Sequence, residues 1–473
     1  MLRSLVAVLA VAAFAPSGVA AAPNPVAVEN ARLGTSAWTA PAVTSAEIYA
    51  SEIGATPGGI LHFHVSTAAG ARYRIEVYRL GWYGGAGGRI VACTPGCRTD
   101  EPGVAQVPPG PPPGDPFAPP IRARWPVTDA VTTSRGWPSG YYLARVVVTS
   151  GSAVGPGGMT YVILRSPPWR PRASILVQVP VNTWQAYNTW GGAGLYDGQH
   201  PRSYHVSFDR PYSGTSQSFA PTWELPLVRF LERFGYDVSY QTDFETDAHP
   251  GSLLRHRLVV VAGHDEYWTK RIRDAFERAL RAGVNLAFVG ANIGFWQMRY
   301  NTLDDGVPAI DEYRSGANDP SPDPATKTTT FRRLTPPRLE CTLLGVTYPG
   351  GVGGPSDYRV TDAAATDPWF AGTGIAPGDV LTGLVGGEWD TFDPSCAPAG
   401  TTVLFHGDVA PHAADAIRYT APSGATVFSA GSLAFSGGLD DFAGHVADPR
   451  LQRFMKNAVD RLSMRRVVSV KRP

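Results

Sequence analysis

The sequence is poor in charge and has no excess of either sign. Asp, Glu, Lys and Arg make up 17% of the 473 residues, 41 basic against 40 acidic, for a formal net charge of +1. A protein that grips nucleic acid through its phosphates needs a basic excess, so that class is disfavoured. After the first 22 residues no apolar run approaches the roughly 20 residues that cross a bilayer, so no membrane span is expected. What is abundant points the other way. Hydrophobic residues reach 43%, enough for real cores, which excludes a disordered chain. Gly (52) and Pro (43) argue against a helical bundle and for many turns. The length suits two or three domains.

Residues 1–22 read as a secretory signal: Arg3 is the positive n-region, Leu5–Ala15 a short apolar core, and Val19, Ala20, Ala21 and Ala22 suit peptidase cleavage. The mature protein is expected to be exported and soluble. The four cysteines fit that compartment. Cys93 and Cys97 flank the turn Thr94-Pro95-Gly96, which leaves Cys341 and Cys396 as the other pair. An even count in an exported chain favours two disulfides, although four cysteines allow three connectivities. A cysteine metal site is the weaker alternative, because Cys-x3-Cys has no matching second pair.

The expected fold is an N-terminal Ig-like β-sandwich over 23–168, followed by a mainly parallel α/β domain over 169–465. Ile60–Ser66, Tyr73–Leu80, Tyr141–Thr149 and Thr160–Leu164 are strand candidates separated by Gly/Pro clusters. Ser-Pro-Pro-Trp-Arg-Pro within Arg165–Arg172 marks the boundary. Beyond it, apolar runs (Ile175–Val179, Leu258–Ala262, Val284–Val289) alternate with amphipathic helices over Glu224–Phe234 and after Thr269. A last helix starts at Asp448-Pro449.

In a parallel sheet, ligands bind beyond the carboxyl ends of the strands. The segments there are Pro180–Gly192, Gly263-His-Asp-Glu-Tyr-Trp268 and Gly290-Ala-Asn-Ile-Gly294. His264 and Glu266 can bind a metal or handle protons; the bland alternative has Asp265 and Glu266 capping the next helix. Gly-x-Asn-x-Gly has the outline of a nucleophile elbow, but Asn292 is no nucleophile and suits an oxyanion or substrate contact; the alternative is a plain strand-to-helix turn. Tyr187 is either a packed aromatic or a hard-ion ligand. Glu388, beside Trp389 and after two glycines, is a candidate base or an exposed turn residue. His62, His64, His406 and His445 read as surface residues.

Taken in order, Ile175–Asn188, Leu195-Tyr196-Asp197, Ser207-Phe208-Asp209-Arg210-Pro211, Gly263–Trp268 and Gly290–Trp296 resemble the C-terminal region of the N,N-dimethylformamidase large (β) subunit family, over about residues 170–465. The family fold is similar to a class I glutamine amidotransferase without its catalytic Cys. The resemblance implies amide hydrolysis with a ferric iron held by two tyrosines and a glutamate. Carried over by motif, these are Tyr187, Tyr196 (with Tyr204 as the alternative) and Glu266, with His264, Asn292 and Glu388 as the catalytic residues. The sequence departs from the pattern at Asp265, where Pro is usual, and in a shorter insertion between the tyrosines. The small partner subunit of the family is not evident. A rival expectation is a secreted, non-catalytic binding protein whose loop aromatics, Trp82-Tyr83 and Trp137, stack on glycans.

Overall fold

The computed structural model describes residues 24–464 apart from 111, 113, 171 and 197–201. The expected signal segment 1–22 lies outside the described residues. The N-terminal strands form two sheets. Glu47–Ala50, Ile60–Ser66 and Asp129–Thr132 make one of three strands, antiparallel throughout. Gly54–Ala55, Gly155–Leu164, Gly140–Ser150, Arg72–Leu80 and Gly88–Thr94 follow one another in the second, and Glu101–Pro102 adds to Arg72–Leu80. Leu61, Phe63, Ile75, Val77 and Val146 fill one core between them. The other face of the larger sheet, through Tyr78, Leu80, Tyr141, Leu143 and Ile163, shares a core with the rest of the chain.

That shared core carries charge. Arg79, wholly buried, makes two 2.6 Å hydrogen bonds to the buried Glu232 on the helix Leu225–Arg233. Glu224, at the start of that helix, accepts from Tyr141 Oη (2.7 Å) and Trp184 Nε1 (2.8 Å). Burial pushes the Glu224 carboxyl up to about 8. A carboxyl whose folded pKa exceeds its unfolded value binds more protons when folded, so stability falls as pH rises from the unfolded pKa toward the folded one. Glu224→Gln mimics the neutral acid and removes this dependence. Between pH 5 and 8 the wild type is expected to lose on the order of 3 kcal/mol relative to the variant. Thermal melts of both across that range check it; parallel curves would refute it.

The largest sheet has nine strands, in the order Val238–Thr242, Ile175–Val179, Leu258–Ala262, Asn285–Val289, Thr426–Ser429, His412–Thr420, Thr402–Val409, Val352–Val360, Val380–Glu388. The first five are parallel and every later pairing is antiparallel. Three of the parallel strands, Ile175–Val179, Leu258–Ala262 and Asn285–Val289, are buried on both faces, which is why they read as apolar runs broken only at Gln178 and Asn285. Thr269 caps the helix Lys270–Arg281 by accepting from Ile272 N (3.1 Å), as its position suggests. Pro449–Ser463 is the last helix.

The expected fold class does not hold. Among the described residues there is no Ig-like sandwich followed by a mainly parallel domain, but a mixed, mostly β structure of four sheets in which the principal sheet is only half parallel. Two strands of the antiparallel half were hidden by their sequence. Val352–Val360 opens Val-Gly-Gly-Pro-Ser and is exposed over most of its length, and Val380–Glu388 carries three glycines, so neither shows an alternating pattern.

Both expected disulfides are present, Cys93–Cys97 and Cys341–Cys396. No helix among the described residues is long and apolar enough to cross a membrane. The aromatics offered as a glycan platform are engaged. Tyr83 is 3% exposed and donates to Glu29, Arg229 and Arg233 lie over the Trp82 ring, and Trp137 stacks on Tyr142. His64 is not a surface residue either: it is buried, stacked on Tyr49 and bonded to Trp125 O (2.7 Å).

Candidate active site

From Ile175–Val179 the chain passes to Val238–Thr242 on one side and then to Leu258–Ala262 on the other. The carboxyl ends of Ile175–Val179 and Leu258–Ala262 therefore flank a topological switch point, where an open parallel sheet leaves a crevice. After the first strand come Pro180 and the wholly buried helix Val181–Ala186, with Tyr187 at its C-terminal cap. The loop that follows is fixed from beneath. Asn188 donates to Pro211 O (2.9 Å) and accepts from Trp190 N and Ser213 N (3.1 Å each). The buried Arg210 guanidinium donates to the carbonyls of Gln185 (3.1 Å), Trp190 (3.3 Å) and Ala193 (2.8 Å). This scaffold is what the Asn188 and Asp209-Arg210-Pro211 motifs build, and it sets Tyr187 and Tyr196 side by side with ring centroids 4.3 Å apart.

The second and third strand ends are joined backbone to backbone. Gly263 N donates to Val289 O (2.9 Å), Gly294 N to Asp265 O (2.8 Å), and both Phe295 N and Trp296 N to Glu266 O (3.0 Å). Gly263 has φ +67°, and a Cβ on Gly290 would stand 1.8 Å from Gly263 O. Gly290→Ala must push the two loops apart, at a cost of about 3 kcal/mol. Chemical denaturation measures it; a variant within about 0.5 kcal/mol of the wild type would show that the joint gives way freely.

Here the side chains converge. Tyr187 Oη donates to Glu266 Oε2 at 3.0 Å, and Tyr196 Oη lies 2.8 and 2.7 Å from the two Glu266 oxygens. Tyr267 Oη donates to Tyr196 Oη (2.7 Å). His264 Nε2 is 3.3 Å from Tyr187 Oη, 3.5 Å from Glu266 Oε2 and 3.6 Å from Glu388 Oε2. Asn292, at φ +53°, donates from Nδ2 to Glu388 Oε2 (2.8 Å), while its N–H donates to Asp390 Oδ1 (2.9 Å). His264, Glu266 and Asn292 are almost wholly buried, and His264 Nδ1 and Asn292 Oδ1 have no hydrogen-bond partner among the described residues. Burial first, and the Glu266 charge second, hold both phenols far above their ordinary pKa. Burial likewise raises Glu388, and pushes Asp390 up to about 7.

All six residues read from the sequence thus lie together. Tyr204, the alternative second tyrosine, lies elsewhere: its Oη accepts from Asn318 Nδ2 (3.2 Å) and its ring packs on Phe117 and Tyr313. Asp265 caps no helix; it accepts from Gln178 Nε2 (2.6 Å) beneath the cluster. The Gly290–Gly294 turn leads into the strand Trp296–Thr302, so the strand-to-helix reading of the elbow is wrong in its second half. Glu388 is neither a turn residue nor exposed; it ends the edge strand Val380–Glu388. Arg314 went unread. Its guanidinium is clamped between the rings of Tyr196 and Trp296, 4.3 and 4.4 Å from their centroids, and donates to Leu195 O (2.6 Å). No motif or strand end marks it. Tyr267 stood inside a motif, but only the fold shows its hydroxyl on Tyr196.

Among the described residues no group of three or more His, Cys, Asp or Glu side chains is placed to hold a metal ion. A cation here would rest on tyrosines. Two phenol oxygens and a carboxylate meeting within about 3 Å are a hard donor set that fits a hard cation such as ferric ion, and a bound cation offsets what keeps the phenols neutral.

Residues 74–449 match the N,N-dimethylformamidase beta subunit-like, C-terminal family, well over half of the chain, and the chain belongs to that family. The match starts inside the strand Arg72–Leu80, far upstream of the motifs that carry the resemblance. A curated relative, the N,N-dimethylformamidase beta subunit of Alcaligenes sp, is 30% identical over 116 residues. That alignment spans 22% of this chain and 15% of the relative.

Proposed function

From this family membership and the site geometry, we propose that the chain is an amide hydrolase of small C–N substrates, exported and ferric-iron dependent. The convergence of Tyr187 and Tyr196 on the Glu266 carboxylate carries the reading. These three would hold the iron, which when bound supplies Lewis acidity toward an amide carbonyl oxygen. The remaining work falls to side chains of the chain. Glu388, as a carboxylate, takes a proton from the attacking water and returns it to the amide nitrogen, so that the C–N bond breaks to give acid and amine. His264 Nε2, between Glu266 and Glu388, orients Glu388 and steadies its charge. The Asn292 amide, fixed by Glu388 and by its own N–H on Asp390, donates toward the oxygen that gains charge. The Tyr187 ring packs between those of Tyr196 and Phe219, which fixes the direction of its hydroxyl.

The test is elemental analysis and a visible spectrum on chain purified without chelator, followed by release of amine from small formamides and acetamides. About one iron per chain, a tyrosinate-to-iron band and turnover are expected. No metal and no band after ferric reconstitution would end the iron reading. Iron without turnover on any amide would end the hydrolase reading.

A further inference from the structure

Away from this cluster, the face of the six-stranded sheet that meets the rest of the chain opens into a cleft of about 940 Å³. None of the six candidate residues lines it. Its volume lies in the range of small-molecule sites. Much of the wall is apolar, with Trp38, Ile48, Met159, Tyr161 and Phe442 among the lining side chains. Arg145, opposite Met159 in the sheet register, lines it too and is only 3% exposed.

This guanidinium is poorly matched by the protein. Nη1 donates to Trp38 O (2.8 Å), Nε has no partner, and among the described residues Arg145 forms no ion pair. The two nearby carboxylates are committed elsewhere. Glu76 is held by Arg74 and Tyr78, and Glu47 on the cleft wall accepts from Trp190 Nε1 (2.8 Å). A buried cation with donors to spare is costly unless something anionic meets it.

We propose that this cleft binds an organic carboxylate, with the anionic head at Arg145 and an alkyl body along Trp38, Met159 and Phe442. The chemistry is separate from the amidase reading and stands or falls without it. A carboxylate offers the two acceptors a guanidinium fork matches, and the apolar wall rewards the chain behind it.

Isothermal titration of the full chain with decanoate, decan-1-ol and decylammonium tests it. One decanoate per chain is expected, bound at least about tenfold more tightly than decanol, with decylammonium weakest. Arg145→Gln is expected to erase the preference for decanoate. Ala42→Trp, on the exposed rim of the cleft, is expected to weaken decanoate and decanol alike by about tenfold by obstructing the apolar wall. Because Arg145 also supports Trp38, a poorly folded Arg145→Gln would leave the ligand comparison and Ala42→Trp to decide. Equal binding of decanoate and decanol, no saturable binding, or decanoate binding untouched by Ala42→Trp would each overturn the proposal.

Discussion

Glu266→Gln is expected to purify with less than about a tenth of the wild-type iron and to lose amide hydrolysis by on the order of 10³-fold. The amide has nearly the shape of the acid and can still accept from Tyr187 and Tyr196, so packing is kept. What goes is the negative charge and one of the two acceptor oxygens on which both phenols converge. With them goes most of the attraction for a trivalent cation in a site shielded from water. Circular dichroism and a melting temperature within a few degrees of the wild type would establish that the fold survives. Tyr187→Phe and Tyr196→Phe should each weaken the iron and shift the tyrosinate band, because each removes one donor. A Glu266→Gln chain that kept its full iron complement would show that these three oxygens do not hold the metal.

The second large effect separates proton handling from metal holding. Glu388→Gln is expected to lower kcat by about 10²–10⁴-fold with iron content and KM nearly unchanged. Asn292 can still donate to the glutamine oxygen, so the contact at 2.8 Å persists while the proton acceptor is gone. Burial, followed by the charge of Glu266, raises the Glu388 pKa, partly countered by His264 and Asn292. The base form is therefore gained as pH rises, and the wild-type rate should climb along an acid limb that the variant lacks. If kcat survives, or if iron is lost in parallel, Glu388 is not the base.

How much of this was legible depends on where each residue sits. Tyr187, His264, Glu266 and Asn292 follow buried parallel strands whose apolar runs are unmistakable, and a rule about strand ends places them at one edge. Glu388 reaches the same point from the opposite end of the sheet, through a glycine-rich strand with no alternation; its neighbours, Trp389 and two glycines, marked it as a candidate base but left an exposed turn open. Arg314 had neither signal. It follows the short strand Pro308–Asp311, takes φ +61°, and meets Tyr196 by a route that no local pattern encodes. Val352–Val360 and Val380–Glu388 were missed for the same physical reason: an exposed, glycine-rich strand is defined by its partners and not by its own composition.

The way the nine-stranded sheet is wired also governs when the protein can fold. Thr426–Ser429 inserts beside Asn285–Val289, pairing Leu286 with Val427, so the parallel half is completed by residues made some 140 positions later. A chain emerging in order exposes the edge of Asn285–Val289 until the antiparallel strands have formed and returned. Such distant pairing makes for slow folding and leaves a sticky strand unpaired meanwhile. The last strand to be made on the parallel side is thus the one that seals the edge of Asn285–Val289.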